Sequence, residues 1–264
     1  MKSMEKGVFT IKQKNGETVY RASLTYKSKH ISLGSYKSEK EAAKAYEEGL
    51  SVINSTVPFD ENARFSVLPF DKYIILVNFR DNNLYIHNPI YIFKKYFKYY
   101  LSKENIYIFD TDDLFYYSSH KIQVRGGHLF VSDFGMQVSV LSRYGIWSFA
   151  REGKDYFFNN GDSKDLRYEN IRVVLPYRGI TIINKKGKIL YKTKIHIKSS
   201  IVVGIYDSPE KAAIAYNKAI DVLIKNGFKS RNFMPNYIDD LSPKDYAGIY
   251  IGLKISEKIL QMTP

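Results

Sequence analysis

Lys192, Lys194, His196 and Lys198 recur at every second position, separated by Thr193, Ile195 and Ile197. Side chains on an extended strand alternate between faces, so these four line one surface while Tyr191, Thr193, Ile195 and Ile197 line the other. A row of ammonium groups suits the neutralisation of phosphates. A second stretch, Asn159-Asn160-Gly161-Asp162-Ser163-Lys164-Asp165-Leu166-Arg167-Tyr168-Glu169-Asn170, gathers carboxylates and amides around a turn. Hydrolysis there needs a base within about 3 Å of the water it activates. None of the five histidines (His30, His87, His120, His128, His196) falls in that stretch, and one would have to be brought in from elsewhere, His120 and His128 of the same central segment being the foremost candidates. Asp155 and Asp162 are metal-ligand types, but turn carboxylates are more often caps or solvated groups. The chain has no cysteine, which excludes thiolate metal sites, disulfides and cysteine nucleophiles.

The elements that carry the cationic row occur twice. Leu33-Gly34-Ser35-Tyr36 with Glu41-Ala42-Ala43-Lys44-Ala45-Tyr46 returns as Val203-Gly204-Ile205-Tyr206 with Lys211-Ala212-Ala213-Ile214-Ala215-Tyr216, at a constant offset of 170 residues. In the first copy, Gly7 to Lys14 reads as a strand, Asn15-Gly16 as a two-residue hairpin turn, Thr18 to Lys27 as a second strand and His30 to Ser35 as a third. Tyr20, Ala22 and Leu24 alternate with Arg21, Ser23 and Thr25, which predicts an apolar and a polar sheet face. Ser38 with Glu41 forms a capping box before a helix carrying Ala42, Ala43, Tyr46, Leu50 and Ile53. The second copy repeats the plan, with Ser208-Pro209 opening a helix that stops near Asn226-Gly227. Between the copies, Asn88-Pro89 reads as the start of a short helix ending near Lys103, Asn105 to Tyr117 as strand and turn, and His128 to Ser132 as a strand. The aromatic residues of 91–117, mixed with Ile and Leu, read as core. Ser242-Pro243-Lys244-Asp245 caps a terminal helix.

Across 264 residues the formal charge is +13, distributed as +3 over 1–65, +2 over 66–174 and +8 over 175–264. A basic balance of this size implies an acidic partner, and the C-terminal copy carries most of it. No apolar run approaches the roughly 20 residues that span a bilayer, and Met1 to Thr10 has no leader-like apolar segment. The expectation is a cytoplasmic, nucleoid-associated protein with no membrane partner.

Each copy, over about 45 residues, resembles the APETALA or ethylene-response-factor type of DNA-binding domain. Tyr177-Arg178-Gly179-Ile180 is similar to that family's opening Tyr-Arg-Gly-Val, and the Leu33 to Tyr46 segment to its Leu-Gly-Thr-Phe and Glu-Ala-Ala-x-Ala-Tyr segment. The resemblance implies that the sheet enters the DNA major groove. The contacts it implies are Arg178, Gly179, Lys192, Lys194, His196, Lys198 and Ser200 in the second copy, and Lys6, Arg21, Ser23, Thr25, Lys27 and His30 in the first. Lys6-Gly7-Val8 lacks the opening tyrosine and replaces the arginine. The stretch Phe157 to Ile171 resembles an HNH endonuclease, whose metal unit reads His-His or Asp-His, then Gly-Asp, Asp-Asn-Arg and Glu-Asn-Leu. Here Phe157 and Phe158 hold the places of a metal ligand and the general-base histidine, and Leu166 that of the central asparagine. Only Asn170 matches a family metal ligand, and phenylalanine neither accepts a proton nor binds a cation.

These readings converge on an α+β chain. Two modules, each a small three-stranded antiparallel sheet with a helix (1–65 and 175–264), flank a degenerate HNH-like ββα domain (66–174), and a C-terminal helix follows. The expected function is sequence-specific binding of double-stranded DNA at a bipartite site by a transcriptional regulator descended from a homing endonuclease. No catalytic residue, metal or other cofactor is expected, and the terminal helix is the candidate homodimer contact. The alternative is an active metal-dependent nicking endonuclease.

Overall fold

The computed structural model describes residues 5–13, 16–147, 150–229, 233–239 and 241–264. The chain is mixed α+β, with small antiparallel sheets and helices. It divides into two compact units, one of residues 1–144 and 157–172 and the other of 145–156 and 173–264.

In the first unit, β1 (Val8–Lys12), β2 (Thr18–Tyr26) and β3 (Lys29–Tyr36) form an antiparallel meander in that order. Asn15 of the expected hairpin turn lies outside the described residues. The capping box opens α1 (Glu39–Asn54): Ser38 Oγ accepts from Glu41 N at 3.2 Å, and Glu41 Oε2 accepts from Ser38 N at 3.3 Å. Ala42, Ala45 and Gly49 form the buried, small-residue face of α1, which brings the helix backbone close to Ala22, Leu24, Ile31 and Leu33. A Cβ on Gly49 would sit 2.8 Å from Leu33 Cδ1, so this approach depends on the glycine.

A helix absent from the sequence reading follows, α2 (Phe70–Asn82), and buries Tyr73 through Phe79 in the same core as α1 and the first sheet. The helix expected from Asn88-Pro89 is instead two strands, β4 (Ile90–Ile92) and β5 (Tyr96–Tyr100), which pair with β6 (Ile106–Asp110). The period of two wins over the turn signal because Phe97 and Tyr99 are fully buried on one face and oppose Phe109 and Tyr107. The aromatic residues of this region are core, as their mixture with aliphatics suggested: Phe97, Tyr99, Tyr100, Phe109 and Tyr117 are all buried. The unit continues through α3 (Leu114–Ser119) and a meander of β7 (Gln123–Arg125), β8 (His128–Asp133) and β9 (Met136–Ser139). The ribbon β10 (Tyr156–Phe158) and β11 (Ile171–Val173) encloses the carboxylate and amide loop.

In the second unit, β12 (Ile180–Lys185), β13 (Lys188–His196) and β14 (Ser200–Tyr206) form the second meander, and α4 (Pro209–Lys225) packs on it through Ala215, Ala219 and Leu223. The two copies agree beyond their sequence match. Ala22 opposes Gly34 and Thr193 opposes Gly204, and in both sheets the register shifts by a β-bulge at the next residue. Gly7 and Gly179 both have φ of +76°, and each accepts at its carbonyl from the residue just after that point, Ser23 N at 3.0 Å and Lys194 N at 2.7 Å. Both glycines lie against the helix tyrosine of their own copy, Tyr46 and Tyr216.

The C-terminal tail docks on α4 of its own chain. Lys218 Nζ donates to the carbonyls of Tyr250 (2.7 Å) and Leu253 (2.8 Å), capping α5 (Pro243–Gly252) at its negative dipole end. Tyr250 Oη donates to Asp221 at 2.8 Å, and Ser256 N donates to Val203 O at 2.8 Å, occupying a backbone acceptor of the outer strand β14. Leu253 and Ile259, the latter in α6 (Glu257–Leu260), are buried in the α4 core. Among the described residues no helix is long and apolar enough to cross a membrane.

Candidate nucleic-acid interface

The face of β12–β14 away from α4 is set by register. Thr181 and Ile205 flank Lys192, Val202 faces Lys194, and Ser200 faces His196, whose Nδ1 lies 3.4 Å from Ser200 Oγ. Lys194, His196, Lys198 and Ser200 are exposed and Lys192 is half-buried, while Thr193 and Ile195 point into the core. The expected alternation therefore holds along β13. The face is nevertheless not uniformly polar: Val202 and Ile205 are 37 % and 46 % exposed beside the lysines. Cations occupy the middle strand, and aliphatic side chains stand on the strand next to it.

The hairpin joining β12 to β13 adds charge that the sequence reading passed over. Lys186 (φ +51°) and Gly187 (φ +78°) make the turn, with Asn184 Oδ1 accepting from Gly187 N at 3.1 Å, and Lys185 lies directly opposite Lys188. All three lysines are exposed. Like charges directly across a strand pair destabilise it, and no carboxylate stands between Leu175 and Tyr206 to offset them. Among the described residues, none of the six lysines of β12–β14 and their connections forms an ion pair. The run Lys185-Lys186-Gly187-Lys188 was the available signal, since Lys-Gly in a short turn between two strands places every lysine at the tip.

Two expected contacts of the second copy have other engagements. The guanidinium of Arg178 stacks 4.4 Å above the ring of Trp147, its Nη2 points at Met234 Sδ (3.7 Å), and its Nε is buried without an acceptor. Its backbone is clamped by Asn236, which accepts from Arg178 N at 2.6 Å and donates to Arg178 O at 3.2 Å. Arg178 is thus an internal cation–π partner in its unit rather than a free cation on the sheet. Gly179 supplies the left-handed turn against Tyr216, which is a structural task.

In the first copy Lys6, Arg21, Thr25 and His30 are exposed, with Arg21 between Phe9 and Ser35 and Thr25 opposite His30. Ser23 departs from expectation: it is 2 % exposed, and its hydroxyl has no partner. Ala22, Ser23 and Leu24 are buried in succession, so the alternation fails here, although Lys194, the equivalent of Ser23 beside the same bulge, is exposed. Lys27, in the left-handed turn after β2, donates its ammonium to Asn83 Oδ1 at the C-cap of α2, so it too is engaged within the fold.

The nuclease-like stretch is a closed hydrogen-bonded loop. Asn170, 4 % exposed, donates through Nδ2 to Asp162 O (3.1 Å) and Asp165 O (2.7 Å), and accepts at Oδ1 from Asn160 N (2.8 Å). Burial pushes the Asp165 carboxyl upward, but hydrogen bonds from Arg167 Nε (2.8 Å) and Nη2 (2.7 Å) prevail and hold it below its ordinary value. The amide that matched a metal ligand is therefore saturated by backbone. His120 is likewise engaged, stacked on Tyr116 with Nδ1 2.9 Å from Tyr116 O and Nε2 3.6 Å from Asp133 Oδ1. The ββα unit also lacks its third element: β11 runs on to β12 through residues 174–179 without a helix. Among the described residues no three His, Cys, Asp or Glu side chains gather to hold a metal.

Asn170→Ala leaves two carbonyls and an amide without their partner, and is expected to destabilise the loop by about 3 kcal/mol. Amide hydrogen exchange checks this: the amides of Asn160, Lys164 and Leu166 should exchange at least tenfold faster, whereas unchanged protection would show that other contacts hold the loop.

Comparison with known proteins gives no match: no family model fits the chain, and no curated protein and no solved structure is similar to it. The likeness to APETALA-type domains and HNH nucleases rests on the residues themselves.

Proposed function

We propose that this protein binds duplex DNA through the outer faces of its two three-stranded sheets and acts as a nucleoid-associated transcriptional regulator at a bipartite site. The observation that carries this reading is the cationic face of β12–β14, six lysines with no carboxylate among them and two like charges opposed at the hairpin tip. Holding that charge together is unfavourable in the free protein and is relieved by a polyanion. The dimensions agree with a groove: three strands about 4.8 Å apart span about 10 Å, against a major groove about 12 Å wide. Along β13, side chains two residues apart are separated by about 6.8 Å, close to two base-pair steps of 3.4 Å. Two modules on one chain raise each other's effective concentration, so a joint site is held more tightly than either half. The apolar docking of the C-terminal helices on α4 turns part of their surface inward, and a homodimer would use what remains.

Fluorescence anisotropy of a labelled 30-base-pair duplex, titrated between 50 and 300 mM salt, tests the proposal. Neutralising about six phosphates gives a slope of log affinity on log salt near −5. A slope near zero, or no binding at 50 mM salt, would remove DNA as the partner.

A further inference from the structure

The aliphatic residues on the lysine-bearing face have a counterpart in the other copy. Through the shared register, Val202 (opposite Lys194) corresponds to Ser32 (opposite Ser23), and Ile205 (opposite Lys192) to Ser35 (opposite Arg21). Ser32 and Ser35 are exposed, so this fold accommodates a small hydroxyl side chain at both positions. Val202 and Ile205 are therefore not needed to build the three-stranded sheet itself; Ile205 also borders a cleft with Leu190 and with Ile249 and Leu253 of the C-terminal tail, yet both side chains stay partly exposed among uncompensated lysines. They make sense as groups that meet an apolar feature on a polyanionic surface. In the major groove of duplex DNA the base edges offer one such feature, the C5-methyl group of thymine.

We infer that the β12–β14 face selects thymine by its methyl group, with Val202 and Ile205 as the specificity-determining contacts and Lys192 and Lys194 holding the adjacent phosphates. The inference rests on the proposed DNA-binding role. Because the bulge skips one residue of β14, Val202 and Ile205 sit opposite lysines only two residues apart. Their side chains then stand about 6.8 Å apart, which places the two methyl contacts about two base-pair steps from each other. The first copy, with serines at both positions, has no such preference.

The test uses the full chain and three 24-base-pair duplexes: alternating dA·dT, the same sequence with deoxyuridine in place of thymidine, and alternating dG·dC. The uridine duplex keeps every hydrogen-bonding group and removes only the methyls. Two methyl contacts of ordinary hydrophobic strength give the native protein about tenfold higher affinity for the thymine duplex than for the uridine duplex. Val202→Ser with Ile205→Ser, substitutions copied from the first module, should bind the thymine and uridine duplexes alike and keep the native salt slope. Equal native affinity for these two duplexes with a steep salt slope would overturn the methyl reading and leave DNA binding standing. A serine variant that still prefers thymine would overturn the assignment to these two residues. Failure to bind any of the three would overturn both readings.

Discussion

Replacing Lys192 and Lys194 together by alanine is expected to lower duplex affinity about 50-fold at 0.1 M salt and to reduce the salt slope by about 2. Each phosphate contact contributes about 0.9 to the slope, which near 0.1 M corresponds to slightly less than a factor of ten, so two contacts compound. Both ammonium groups stand on the middle strand of the open face, without an ion-pair partner to compete with phosphate. A comparison pair in the first copy, Arg21→Ala with Lys27→Ala, is expected to cost less than tenfold. Arg21 is exposed, but the Lys27 ammonium already donates to Asn83, and that copy holds less of the charge. Anisotropy titrations of both double variants at several salt concentrations check the ranking, and equal losses would undo it. A loss in the Lys192/Lys194 variant without a change in slope would mean that the lysines shape the sheet rather than touch phosphate.

The difference between the copies follows from side-chain choice on a common backbone. The cap serines Ser38 and Ser208, the alanine stripes that admit helix to sheet, and the alternation along β13 all act within a few residues of themselves. They were readable from spacing. What escaped the sequence depends on distant partners or on ties between local preferences. Tyr73 to Val77 is an unbroken apolar run preceded by Pro69, without a side-chain cap, so it reads as strand or helix equally well, and burial in the shared core decides for α2. Asn88-Pro89 signals a turn, but not that strands follow it. Arg178 is captured by Trp147, 31 residues earlier, and by Asn236, 58 residues later, and no local pattern announces either. Ser23 is buried where the equivalent Lys194 is exposed beside the same bulge, and nothing in the local spacing of β2 distinguishes it from Arg21 and Thr25. At the candidate interface, the cations of β13 were legible because charge alternates along one strand. The aliphatic partners on β14 were not, because in a sequence Val202 and Ile205 look like core residues.

Gly179→Ala is expected to destabilise the second unit by about 3 kcal/mol or more, and Gly187→Ala by only about 1. Both glycines have positive φ, +76° and +78°, so each substitution carries the same left-handed penalty of about 1 to 2 kcal/mol. They differ in what surrounds the added methyl. At Gly187, in the hairpin tip, nothing lies within 4 Å. At Gly179 the Cβ would stand 2.5 Å from Tyr216 Cε2 and closer still to the Lys194 carbonyl oxygen. Tyr216 is 6 % exposed in the α4 core, and a backbone carbonyl cannot move aside without breaking the pairing around the bulge that β14 makes opposite Thr193 and Lys194, so overpacking adds a further 1 to 3 kcal/mol. Trp147, the only tryptophan in the chain, belongs to this unit and is covered by Arg178, the residue next to Gly179, so its emission in urea reports the relevant unfolding. Equal shifts of the two midpoints would show that backbone conformation alone, and not the close approach of strand to helix, requires glycine at 179. A larger shift for Gly179→Ala, with DNA affinity retained below its unfolding transition, would place this glycine in the scaffold that presents the lysine face rather than in the interface itself.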